Sequence, residues 1–170
     1  MSLPNDIAKK LQELRVIYYC LTVAPIVYLA WILWNQNNPT GQWTSLCTLM
    51  MIYAALSVGV RLLVPLLSAR IVRNAMERPE WNTHGGSTSQ KLIPIYGMMA
   101  TSFGGIVEGP IYANLYAYST TGNPLSLGIA GFMLLVLLLS FPTSARMSSW
   151  IQAQLERVES MKAPEDDGAT

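Results

Sequence analysis

Charge is scarce in this chain. Asp, Glu, Lys and Arg together make up 12% of its 170 residues, where a soluble domain carries roughly a quarter. So few charges cannot cover a water-facing surface, and the composition points to a membrane class. Histidine is scarcer still. His84 is the only one, and it lies in a polar stretch between apolar runs. A haem held by two histidines inside the helices is therefore excluded, and a zinc site lacks the several Cys or His ligands it needs. The two cysteines, Cys20 and Cys47, fall at different depths on their helices, too far apart for a disulfide, and both are expected to be packing residues. No phosphate loop, nucleophile elbow, zinc-protease helix or C-x-x-C pair occurs. No cofactor, metal site or catalytic residue is assigned, and an enzyme is not expected. The net charge of +1 gives no footprint for nucleic acid.

What the chain has instead is apolar length. A membrane-crossing helix needs about 20 mostly apolar residues. Four stretches meet this: 15–34, 46–69, 92–117 and 125–146. The first follows a basic segment but is too long for a signal-peptide core, and Trp31-Ile32-Leu33-Trp34 offers no small-residue cleavage site. It is read as a retained anchor. Basic residues gather before the first stretch (Lys9, Lys10, Arg15), between the second and third (Arg70, Arg73, Arg78, Lys91) and after the fourth (Arg146, Arg157, Lys162). The connections 35–45 and 119–124 carry no charge. Because positive residues stay on the cytoplasmic side, both termini and the middle connection are expected there. Trp31, Trp34 and Trp43, with Tyr116 and Tyr118, would then mark the outer interface, and Trp81 and Trp150 the inner one.

The expected fold is all-α: an integral membrane four-helix bundle of residues 15–146, flanked by amphipathic helices. Residues 1–14 place Leu3, Ile7, Leu11 and Leu14 on one face, and 147–162 place Met147, Ile151, Leu155 and Val158 likewise, the pattern of segments lying in an interface. The polar tail 163–170 is expected to be disordered. A tandem duplication of a helical hairpin also fits. AP-I-VY at 24–28 matches GP-I-Y at 109–112, and Ser-Ala-Arg closes both hairpins at 68–70 and 144–146. Pro25, Pro65, Pro110 and Pro142 place a proline in every stretch.

Three features carry whatever chemistry the sequence holds. The third stretch repeats small residues every fourth position, Gly97, Thr101, Gly105, Gly109 and Ala113, a groove into which another helix can pack closely. Arg61 and Glu108 are charges inside apolar stretches, each costing on the order of 3 kcal/mol if left alone at the bilayer centre. They are expected to turn inward and pair, directly or through water, with Ser57, Tyr112 and Asn114 as polar neighbours. Pro110 removes a backbone donor just after Glu108, so a kink is expected there. The pair has two readings: a structural lock on helix register, or an ion-binding carboxylate on a transport path with Arg61 tuning it.

VEGPIYANLYAY, residues 107–118, resembles the carboxylate helix of rotary ATP synthase c subunits. There a glutamate shortly before a Pro-Ile-Tyr run carries the transported proton or sodium ion. The resemblance implies that role for Glu108, with Tyr112 beside it. One residue fewer separates the glutamate from Pro-Ile-Tyr in this chain, which turns everything beyond it by about 100°. The second stretch holds Arg61 where that family has a glycine-repeat helix.

Two functional classes follow. One is a small non-enzymatic membrane protein, either an accessory or scaffold subunit of a larger complex or a self-associating oligomer. The other is a proton or cation translocator built on Glu108. The lipid bilayer is the expected partner, and a bacterial cytoplasmic membrane is the expected location.

Overall fold

A computed structural model describes residues 5–35, 41–77, 81 and 87–162, apart from the side chains of 5–7, 65, 158 and 160–162. These form five helices and, among the described residues, no strand: α1 (Asn5–Asn35), α2 (Ser45–Met76), α3 (Thr88–Thr121), α4 (Pro124–Leu139) and α5 (Ser144–Lys162). The expected tail 163–170 and the connection around His84 lie outside the described residues.

Local chemistry fixes the ends. Ser87 caps α3 with a reciprocal pair of bonds: its side chain accepts from the Gln90 N–H at 3.4 Å, and its N–H donates to Gln90 Oε1 at 3.1 Å. The far end of α3 stops at Gly122, left-handed at φ 67°, a conformation glycine adopts without a Cβ penalty. Asn123 then caps α4 by accepting from the Leu125 N–H at 2.9 Å, and Pro124 occupies the first helical turn, where its missing donor costs nothing. The turn is fastened to α2 by Cys47, whose sulfur lies 3.6 Å from Thr121 Oγ1.

α3 is the central helix, packed by α1, α2, α4 and α5. Tyr18, Ile32, Val107, Ile111, Ala130, Met133 and Leu137 belong to its main apolar core. A second core joins Leu11, Val72, Leu92, Ile93, Met147 and Ile151, near the starts of α1, α3 and α5. Leu11 and Leu14 of the expected N-terminal stripe are buried, as are Met147 and Ile151 of the C-terminal one. The described members of those stripes pack on the helices around them; Leu3 and the side chains of Ile7 and Val158 lie outside the described residues. α1 shows no turn between its amphipathic start and its apolar run, because no proline or glycine interrupts Asn5 to Ala24 and helix propagates once nucleated.

The outward faces are apolar. Val16, Val23, Val27 and Trp31 on α1 and Leu49, Leu56, Leu62 and Leu66 on α2 are exposed, with Trp34 90% exposed. Cys20 is exposed among them, whereas Cys47 is buried, so only the latter is a packing residue. Apolar surface of this extent marks contact with lipid or protein. Two helical segments, Ala8–Asn35 and Ser45–Val64, are long and apolar enough to cross a membrane, and α4 with α5 makes a third if that bent pair counts as one. α3 does not join them: Glu108, Asn114, its glycines and its tyrosines dilute its apolarity.

The fourth apolar stretch is not one helix. It breaks after Leu139, and α5 leaves at 70° to α4. Pro142 disfavours helical backbone at Phe141, so the last turn tightens: the N–H groups of Ser140 and Phe141 bond three residues back, to Leu137 and Leu138. The helix backbone continues through Pro25, Pro94 and Pro110, and the break comes before Pro142.

Candidate functional site

The two charges set within apolar helix are the natural place to look for function, and they part company. Arg61 and Glu108 form no ion pair; Lys10–Glu13 on α1, at 2.9 Å, is the one found among the described residues. The reason is angular. The Arg61 guanidinium lies 4.9 Å from the centre of the Phe103 ring. Phe103 and Glu108 are five positions apart on α3, so at 100° per residue they project about 140° apart. A side chain packed over one cannot reach the other.

Arg61 is engaged at the broken end of α4. Its Nη1 donates to Ser140 Oγ and, at 3.4 Å, to the Val136 carbonyl. Arg146, from the start of α5, reaches back with its own Nη1 to the carbonyls of Leu139 and, at 3.1 Å, Phe141. The last four carbonyls of any helix lack intrahelical partners. Here all four are met. Val136 accepts from Arg61 and from the Ser140 hydroxyl, Leu137 and Leu138 accept the N–H groups of Ser140 and Phe141, and Leu139 accepts from Arg146. The helix dipole leaves roughly half a negative charge at this end, which suits two cations. Arg61 comes sixteen positions after Ser45, and Ser140 sixteen after Pro124. At 1.5 Å per residue both lie about 24 Å below the level where α2 and α4 begin.

Glu108 stands elsewhere. Gly104, one turn before it, packs against Tyr18 and Leu21 of α1. Tyr112, one turn after it, lies against Tyr28 of α1 with ring centres 5.7 Å apart. Residues one turn apart share a face, so Glu108 sits half-buried on the α1 flank of α3. Gly105 beside it is open, with nothing within 4 Å of where a Cβ would be.

The small-residue stripe is not one groove. Each four-residue step overshoots a full turn by about 40°, so the stripe rotates by about 160° from Gly97 to Ala113. Gly97 meets Lys10 and Leu14 of α1, Gly105 meets nothing, and Gly109 meets the Tyr53 hydroxyl of α2. Thr101 spends its hydroxyl on the Gly97 carbonyl at 2.9 Å. The closest approach to α1 in mid-helix is made by Gly104, which lies off the stripe.

The polar neighbours expected around the charges are dispersed. Ser57 is buried and donates to the Tyr53 carbonyl at 3.0 Å. Asn114 is fully buried and ties α3 to α2, its Nδ2 donating to the carbonyls of Met50 at 3.2 Å and Pro110 at 2.9 Å. Its Oδ1 and the Thr22 hydroxyl are buried without a partner. Among the described residues no group of His, Cys, Asp and Glu is arranged to hold a metal.

Sequence reasoning missed Ser140, Arg146 and Phe103. The signal was present in Ser140-Phe141-Pro142: a proline two positions after a serine ends a helix and orphans its carbonyls just where Arg61 arrives. Comparison with protein-family models, with curated proteins and with solved structures returns no match.

Proposed function

We propose that this chain is a non-enzymatic, multi-pass membrane protein that crosses the bilayer four times as a helix bundle with both termini cytoplasmic, and that it works by association within the membrane. It is then a self-associating protein or an accessory or scaffold subunit of a larger complex. α3 makes the third crossing despite its diluted apolarity, because α1, α2 and α4 shield its polar positions from lipid. The charge asymmetry of the connections supports the orientation, and a bacterial cytoplasmic membrane is the setting the sequence favours.

One observation carries the association reading: Glu108 has no cationic partner among the described residues and stands next to the open backbone at Gly105. A carboxyl group in hydrocarbon seeks a polar partner, and an uncovered glycine lets a second helix come close enough to supply one. The test is fluorescence energy transfer between labelled copies in lipid vesicles, with pull-down from native membranes alongside. Gly105→Leu is expected to weaken association by about tenfold or more, roughly 1.4 kcal/mol. A monomer at every protein-to-lipid ratio, with nothing co-purifying, sinks the reading.

The same unpaired carboxylate favours a second reading, in which Glu108 binds and releases a proton or cation on a path between associated copies. Its resemblance to the ion-carrying glutamate of rotary c subunits points the same way. Dye-reported proton flux in liposomes decides it. Flux that disappears in Glu108→Gln supports translocation, and flux no higher than in protein-free vesicles removes it.

A further inference from the structure

The broken end of α4 holds more positive charge than it needs. Two full guanidinium charges face a helix terminus worth about half a negative one. The cleft they share, about 410 Å³, is lined by Arg61, Val64, Phe103, Ser140 and Arg146 and contains no carboxylate. Neither arginine has an ion-pair partner among the described residues. Both make their bonds through Nη1, which leaves Nε and Nη2 of each as donors, the fork that matches phosphate oxygens.

Depth fits as well. The cleft lies about 24 Å below the start of α4, some 6 Å short of a hydrocarbon core of about 30 Å. Arginines at that level sit just beneath the phosphate layer of the adjoining leaflet and extend toward it.

With the chain crossing the bilayer as proposed above, we propose that the cleft binds the headgroup of one anionic phospholipid, with Arg61 and Arg146 holding its phosphate. Surplus positive charge in a cleft at this depth complements a phosphate head. The site is separate from Glu108 and stands or falls independently of the association reading.

The test uses the full chain in mild detergent and follows its thermal unfolding midpoint as lipid is added. Phosphatidylglycerol is compared with phosphatidylcholine of the same acyl chains and with inorganic phosphate at equal concentration. The expected result is a saturable rise with phosphatidylglycerol, a much smaller one with phosphatidylcholine and none with phosphate. Arg146→Gln should weaken the phosphatidylglycerol effect about tenfold. Arg61→Lys keeps a cation at α4 but loses the fork, and serves as the second headgroup variant if Arg146→Gln does not give helical, monodisperse protein. Equal effects of the two lipids overturn the proposal. So does a phosphate effect matching that of phosphatidylglycerol, which would mean a free-anion site, or a headgroup variant that responds like the unaltered protein.

Discussion

Arg61 and Glu108 are both single charges on apolar helices, and the fold treats them in opposite ways. The cation is absorbed by backbone. It lies over Phe103 and closes the carbonyl end of α4. The anion has no such outlet. The backbone groups that suit a carboxylate are the free N–H groups of a helix start, and the start of α4 is at the opposite end of that helix, already capped by Asn123. A break in a helix near its C-terminus therefore gives an arginine a home among apolar helices without any acidic residue, whereas a mid-helix glutamate depends on something outside its own chain or on a proton.

The sharpest way to break this contrast is a double-mutant cycle. Arg61→Gln is expected to cost about 1.5–3 kcal/mol, the range for hydrogen bonds to a charged group, since it removes the cationic donor to the Val136 carbonyl and the Ser140 hydroxyl. Glu108→Gln should change stability by less than about 0.5 kcal/mol, and the pair should be additive within about 0.5 kcal/mol. Denaturant titration of helicity in mild detergent measures all four corners. A coupling above about 1 kcal/mol would falsify the separation of the two charges.

Next in size is Asn114. From a fully buried position its amide bridges α3 to the Met50 carbonyl of α2 and also bonds the Pro110 carbonyl of its own helix. Polar contacts between membrane helices average about 0.6 kcal/mol and reach about 1.7, so Asn114→Leu should cost about 1 kcal/mol in the same titration. A neutral or stabilising result would mean that the unpartnered Oδ1 already cancels the benefit of the two bonds.

Much of the helical architecture was legible in the sequence, because apolar residues gather into runs and stripes wherever helices pack on one another or meet an apolar surrounding. The apolar runs of α1, α2 and α4 and the amphipathic stripes at Leu11–Leu14 and Met147–Ile151 follow from composition and period alone. The charge partners did not, for a physical reason. Pairing depends on the direction in which each side chain leaves its helix, and one unnoticed break changes which groups are available. Reading 125–146 as continuous hid the orphaned carbonyls that claim Arg61. The small-residue stripe misled in a related way: a repeat of four reads as one face, yet on a helix of 3.6 residues per turn it drifts off that face within a few turns.

Adjacent glycines sharpen the same point at lower energy. A Cβ at Gly104 would come 2.7 Å from Leu21 Cδ1 and 3.5 Å from the Tyr18 ring, so Gly104→Ala must move a packed leucine and should cost about 1 kcal/mol. Gly105, one position on, faces open space in the isolated chain. There alanine only relieves glycine's backbone entropy, and Gly105→Ala should be neutral or stabilising by about 0.5 kcal/mol. Comparable losses at both sites would show that Gly105 is covered, in the protein as it is measured, by something other than α1.

The smallest expected energetic effect tests the origin of the contrast. Pro142→Ala removes the restriction on Phe141 without deleting any of the bonds that close α4. Phe141 is held edge-on against Tyr18 and Tyr19, with ring centres 6.0 and 5.1 Å apart, and Arg146 still has the carbonyls of Leu139 and Phe141 within reach. If the proline alone makes the break, alanine lets helix propagate through 140–143 and the 70° angle between α4 and α5 opens. Distances between spin labels on the two helices would then lengthen, and Arg61 would lose its carbonyls to the continuing helix. The packing at Phe141 and the two arginines favour the opposite outcome: stability unchanged within about 0.5 kcal/mol and label distances preserved. In that case the bend belongs to the tertiary contacts, and the cations hold the helix open as much as the proline does.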